Sequence, residues 1–358
     1  GEPLGIFKDQ AMALVARAIP APSGEQRDSA LARALAHAAS LGVTAVAHMS
    51  AGPAELASYR RIEAAGRLTA RVALFFPLAT WREVADTVAR AGAGDDWLWI
   101  GGLKGYVDGS AGSRTAYFFE PFSDSAGYAG LMQTAERDLR AWIGGADSAG
   151  LRLAIHAIGD RANALLLDIL DSVARAHDVD GPRERRFRDE HAQHLRARDI
   201  PRFAKIPVVA SMQPYHAIDD GRWLEKRIGP RRIRTTYAFR DLLDAGAPLA
   251  FGSDWTVAPL DPLLGVYAAV TRRTLDGRHP DGWVPEQKIT VAEALRAYTA
   301  GNAWALFAEQ KWGTLAPGYY ADVVVLDRDL LRVPPESIPE ARVTYTVVGG
   351  RVVYRRSP

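Results

Sequence analysis

Four side chains that can bind a cation stand at the ends of short apolar runs: Lys104 in "LWIGGLKGY", His156 in "LRLAIHA", His191 in "RFRDEHA" and Asp254 in "PLAFGSDW". Asp108, Asp189, Glu190, His194, Gln213 and His216 lie close by in the chain. Imidazole nitrogens and carboxylate oxygens converging on one rim make a site for a divalent metal that accepts N and O ligands. Blander roles compete at each position. A lone His at a strand end is commonly a hydrogen-bonded structural residue. Lys104 can be solvated or ion-paired, and Asp254 can cap a helix. His48 in "AVAHM" reads as structural, while His37, His177 and His279 read as having no part in chemistry. The ordered series Lys–His–His–Asp at successive strand ends is what points to a site.

The elements that must position these residues repeat as short apolar strand, loop and amphipathic helix. "VTAVAHM" follows the helical "RDSALARALAHAASLG", whose Gly42 suits a helix C-terminus. "RVALFFP" and "DWLWIGGLKGYVDGS" come next, and then "RLAIHA", "RFRDEHA", "KIPVVASMQP" and "APLAFGSDW". Strands alternating with helices predict a parallel sheet with right-handed crossovers. Such folds gather ligands and catalytic groups at the C-terminal strand ends. Seven strands are legible, one fewer than the eight of a closed barrel. Further on, "ITVAEALRAYTAGNAWALF" predicts a helix with Thr290 as N-cap and Glu293 completing a capping box. The chain then turns β-rich: "ADVVVLD" and "TYTVVGGRVVY" predict strands outside the barrel, with Gly349-Gly350 as a hairpin turn.

Composition sets the bounds. The chain has 358 residues, 48% hydrophobic and 24% charged, with a formal net charge of +2. That suits a folded protein with a large core. The densest basic run, "RERRFR" (Arg183 to Arg188), is short, which argues against nucleic-acid binding. There is no cysteine, so disulfides, thiolate zinc sites and cysteine nucleophiles are excluded. No apolar segment approaches the roughly 20 residues needed to span a bilayer, so no membrane partner is expected. The opening "GEPLGIFKDQAM" has no basic-then-apolar signal pattern, and a cytoplasmic location is the default expectation.

Several passages together resemble a known family. "LKGYVDGSAGSRTA", "IHAIGDRAN", "RDEHAQHL", "MQPYHA" and "FGSDWTVAPLDPL" look like the third amidohydrolase family of the amidohydrolase superfamily, which includes N-substituted formamide deformylases. "TAGNAWALF…GTLAPGYYADVVVLD" resembles the superfamily's C-terminal passage. The resemblance implies a (β/α)8 TIM-type barrel with a small β-sandwich. It divides the chain into a barrel over residues 1–314 and part of the sandwich over 315–358. It also implies one or two divalent metals, usually zinc. Carried over residue by residue, Lys104 matches a lysine that carbon dioxide can carboxylate into a metal bridge. His156 and His191 match ligands on the fifth and sixth barrel strands. Asp254 matches the eighth-strand aspartate, which binds metal and takes the proton of the attacking water.

The chemistry suits these roles. A lysine binds metal only without its charge, and burial near cations favours the neutral amine that must react first. A metal lowers the pKa of bound water toward neutrality, and a carboxylate can pass the proton to a leaving nitrogen. Asp189, Glu190 and His194 are candidates for fixing the tautomer of a ligating imidazole. His216 is a candidate for touching substrate or stabilising the oxyanion. Trp255 and Tyr215 are candidates for an apolar wall, with core packing as the alternative. Arg114 is a candidate for holding a substrate carboxylate, with a structural ion pair as the alternative.

One departure matters. The family's first strand ends in a His-X-His pair, and no such pair occurs here. The seven strands therefore map to barrel strands two through eight, and the chain is expected to be part of a longer protein, with loss of one strand and another way of filling the gap as the alternative. With the remaining ligands, the position served by His156 and His191 is expected to hold metal better than its partner. The resulting expectation is a metal-dependent hydrolase of non-peptide C–N bonds acting on a small amide or formamide, with a homodimer as a candidate assembly. A non-catalytic member without metal, and a deaminase or esterase on the same scaffold, are the alternatives.

Overall fold

The computed structural model describes residues 5–8, 11–178, 184–206 and 208–357. The seven expected strands are all present: β1 (Ala45–His48), β2 (Arg71–Pro77), β3 (Leu98–Tyr106), β4 (Leu153–Ala157), β5 (Phe187–His191), β6 (Val208–Met212) and β7 (Leu249–Phe251). They form one sheet in chain order, and every neighbouring pair is parallel. All seven C-terminal ends therefore share one rim.

The apolar runs are continuous because both faces of a parallel sheet are covered. Successive side chains alternate between the faces. On one face Val72, Leu74, Phe76, Leu153 and Ile155 join Tyr59, Ile62, Ile143 and Leu166 of the surrounding helices. On the other, Ala73, Phe75 and Ala154 meet Ala303, Leu306, Ala308 and Trp312.

β1 and β7 are the two edges of this sheet. The helix Ala300–Ala305 lies against the β7 edge. Asn302 Nδ2 donates to the Phe251 carbonyl at 2.9 Å. Gly301 comes so close that a Cβ there would stand 2.3 Å from the Leu249 carbonyl oxygen. Glycine is thus required for the helix to approach the strand, and an edge carbonyl receives a partner it would otherwise lack.

The β-rich tail folds outside the barrel wall, as its pattern predicts. β8 (Val323–Leu326), β9 (Val343–Val348) and β10 (Arg351–Arg355) make an antiparallel sheet in the order β10-β9-β8. Gly349 and Gly350 turn the hairpin with φ of 56° and 77°, the left-handed values such a two-residue turn demands. The sheet is tied down by Thr346 Oγ1, which donates to the Ala39 carbonyl at 2.7 Å, and by a buried Arg71–Asp322 ion pair at 2.6 Å. The expected Thr290–Glu293 capping box is formed.

The described arginines of the basic run are each ion-paired. Arg183 lies outside the described residues. Arg185 pairs with Asp147 and Asp178, Arg186 with Glu184 and Glu309, and Arg188 with Glu190. Among the described residues no helix is long and apolar enough to cross a membrane.

Candidate metal centre

Strand register stacks the rim in levels. Tyr106 pairs with His156, His156 with Glu190, and Glu190 with Ser211. Two residues deeper, Lys104 pairs with Ala154, Ala154 with Arg188, and Arg188 with Val209. Lys104 thus starts one level below His156. His191 ends β5 with φ of 83°, and Asp254 follows β7 with φ of 57°. Left-handed backbone costs a non-glycine residue about 1–2 kcal/mol, so surrounding packing must hold both. The effect is to redirect side chains that a regular strand would send elsewhere.

The groups that come together are His191, His216 and Asp254, each offering a ligand atom within 4.8 Å of the others. His216 stands in the short helix Pro214–Asp220 that follows β6, and its Nε2 lies 3.9 Å from Asp254 Oδ2. This Nε2 is buried and has no hydrogen-bond partner among the described residues. The sequence makes His216 a candidate for touching substrate or stabilising the oxyanion, and groups His156 and Lys104 with His191 and Asp254. Here His216 completes the trio. His156 stands beside it, its ring centroid 4.5 Å from that of His191.

The hydrogen bonds set which imidazole nitrogen stays free. His191 Nδ1 donates to Gln213 Oε1 at 2.7 Å, leaving Nε2 as the lone pair. His156 Nε2 donates to the Gly109 carbonyl at 3.2 Å, leaving Nδ1. Asp108 Oδ1 lies 3.5 Å from the same His156 Nε2. The Asp108 carboxylate also accepts backbone N–H groups of Tyr117, Ile158 and Gly159 at 2.7–2.9 Å. It thereby ties the loops after β3 and β4 together.

Of Asp189, Glu190 and His194, the candidates for fixing a ligand tautomer, Glu190 and His194 are bonded to other groups. Glu190 pairs with Arg188 at 2.7 Å and accepts from Ser211 at 2.8 Å. His194 Nδ1 meets Thr236 Oγ1 at 2.9 Å. Asp189 is fully buried, and burial above all raises its pKa well above the usual carboxylate value. The tautomer partners are an amide and a carbonyl, Gln213 and Gly109. Gln213 was legible as a strand-end residue, but Gly109 has no side chain to draw attention.

Burial governs the charges. It pushes His156 down to about 3, His216 down to about 4 and His191 well below the usual imidazole value. The three rings are therefore neutral near pH 7 and keep the lone pairs a metal needs. Burial lowers Lys104 to about 8, against the opposing pull of Glu190 and Asp254. Burial raises Asp254 to about 6, partly offset by Lys104. The Lys104 Nζ lies 4.8 Å from the centroid of the Tyr106 ring.

Two other expected site residues make contacts outside the trio. Arg114 is held by Asp124 at 2.9 Å, and Asp124 also binds Arg227 at 3.1 Å. Trp255 is 45% exposed, and its ring lies 5.7 Å from that of His37, a histidine the sequence reading set aside. His48 meets the Tyr59 hydroxyl at 3.1 Å.

Two imidazoles and a carboxylate, with an orphaned buried nitrogen among them, suit a divalent cation. Comparison with known proteins agrees. The protein LONG AFTER FAR-RED 3 of Arabidopsis thaliana is 37% identical over 99% of this chain and 62% of its own length. The N-substituted formamide deformylase of Arthrobacter pascens is 27% identical over 88% of this chain and 58% of its own length. An uncharacterized metal-dependent hydrolase from Pyrococcus horikoshii OT3 superposes with a TM-score of 0.79 at 32% identity, covering 91% of this chain and 64% of that one. This chain thus spans less than two thirds of the length of each of these three relatives. The amidohydrolase family model matches residues 1–354, and the chain belongs to that family.

Proposed function

We propose that the protein cleaves carbon–nitrogen bonds other than peptide bonds, with N-substituted amides or formamides as substrates. The observation that carries this reading is the His191–His216–Asp254 trio, with three ligand atoms within 4.8 Å on the rim. His191 Nε2, His216 Nε2 and an Asp254 oxygen would hold one cation, zinc by donor type. The free Nδ1 of His156 and a carboxylated Lys104 would serve a second. Lys104 is suited to carboxylation because burial favours the neutral amine, which adds to carbon dioxide and releases a proton. When bound, a divalent cation supplies a Lewis acid that polarises the carbonyl and makes water more acidic.

The chain's own groups do the rest. Asp254, with its carboxyl raised to about 6, accepts a proton from the attacking water and returns it to the leaving nitrogen. Gln213 and the Gly109 carbonyl hold the imidazoles in their reactive tautomers. The amidohydrolase family and a relative named as an N-substituted formamide deformylase support the bond type.

The test is zinc analysis of the loaded protein together with turnover of N-substituted formamides, p-nitrophenyl esters and an amino-substituted heterocycle. Formamide turnover that requires zinc is expected. Preference for the ester or for deamination would replace the C–N assignment, and absence of zinc binding would overturn the site.

A further inference from the structure

Tyr106 takes no part in the trio, yet three contacts place it at the site. It is the last residue of β3, level in register with His156. Its ring centroid lies 5.3 Å from that of His156 and 4.8 Å from Lys104 Nζ. Its hydroxyl meets Ser50 Oγ at 2.9 Å, across 56 residues of sequence. Ser50 follows β1 with φ of 60°. A serine held left-handed is strained, and such strain persists only where the surroundings enforce it, often at functional positions. Tyr106 is nonetheless 39% exposed, although the Lys104 side chain lies against its ring and an imidazole beside it. An aromatic surface with both neighbours fixed, its tip tethered and part of it open is a shelf.

We propose that Tyr106, oriented by Ser50, is a specificity-determining residue: a planar substituent of the substrate packs on its open ring surface while the scissile carbonyl sits at the trio. This rests on the hydrolase reading above. Aromatic rings stack with offset or tilted geometry and add to the gain from burial alone. The Ser50 tether limits the rotations the ring would otherwise sample, so less entropy is lost on binding.

The test uses the full chain loaded with zinc and two probes, benzohydroxamate and acetohydroxamate. They share a chelating head group and differ in phenyl against methyl. Wild-type protein is expected to prefer benzohydroxamate, and Tyr106→Ala to cut that preference about fivefold. Zinc content and acetohydroxamate affinity should stay unchanged. Tyr106→Phe and Ser50→Ala keep a ring but release the tether, and each is expected to lose about twofold of the preference. An unchanged ratio in Tyr106→Ala, or equal weakening of both probes, overturns the proposal and leaves the hydrolase reading standing. Should Tyr106→Ala fail to fold, an unchanged ratio in both tether variants overturns it equally. If zinc-loaded wild-type protein binds neither probe, the shelf falls, whereas failure to load zinc overturns the metal-centre reading itself.

Discussion

The Nε2 of His216 and the Oδ2 of Asp254 face each other at 3.9 Å across the C-terminal ends of β6 and β7. That spacing is too long for a hydrogen bond, and the nitrogen has no other partner among the described residues. A cation between them would satisfy both groups. Replacing His216 by Ala is expected to lower zinc affinity by more than about tenfold while circular dichroism stays unchanged. Zinc titration with a chelating indicator reads the effect. Equal affinity in the variant would return His216 to a role in substrate contact.

Gln213 is expected to act through His191. Its Oε1 accepts the Nδ1 proton at 2.7 Å and so keeps Nε2 free. Gln213→Leu retains comparable bulk but removes the acceptor. A loss of about 10–100-fold in zinc affinity is expected, with a smaller effect from Gln213→Glu, which still accepts. If the Leu variant binds zinc as tightly as wild type, the tautomer is set by something else.

A buried carboxylate away from the trio makes a pH prediction. Asp220 accepts from the Tyr237 hydroxyl at 2.6 Å and from Gln193 Nε2 at 2.9 Å, yet burial pushes its carboxyl up to about 7 from the usual 3.8. The folded protein therefore keeps a proton that the unfolded chain has released. This contribution to stability is fully present below about pH 4 and is lost as pH rises through about 7. Asp220→Asn cannot titrate. Relative to wild type, it should gain stability from pH 5 to pH 8, as urea unfolding at the two values would report. A difference that does not vary with pH would contradict the burial argument.

Asn302 guards the β7 edge. Its Nδ2 donates to the carbonyls of Phe251 and Tyr298 at 2.9 and 3.1 Å. Asn302→Ala leaves the Phe251 carbonyl without that donor and is expected to cost about 1–3 kcal/mol in denaturant unfolding. A cost near zero would mean that water reaches the edge and that the helix Ala300–Ala305 does not seal it.

Much of this protein was legible from order and type alone. The seven strands could be read because a sheet covered on both faces demands continuous apolar runs, and helices with capping residues separate them. Lys104, His156, His191 and Asp254 stood out because parallel strands place their C-terminal ends on one rim, whatever the loops do. The tail declared itself through β-branched residues on either side of Gly349-Gly350.

What the tertiary structure decided is which of these groups meet. His216 joins the trio from a helix beyond the strand end, and His191 and Asp254 turn toward it on left-handed backbone. No sequence period encodes those dihedrals. Ser50 and Tyr106 are 56 residues apart, and Asn302 and Phe251 are 51 apart. Such pairs exist only after the sheet has assembled, because long-range contact depends on register and close packing rather than local propensity. Residue types limit which chemistry the rim can do, and the three-dimensional arrangement selects the atoms that do it.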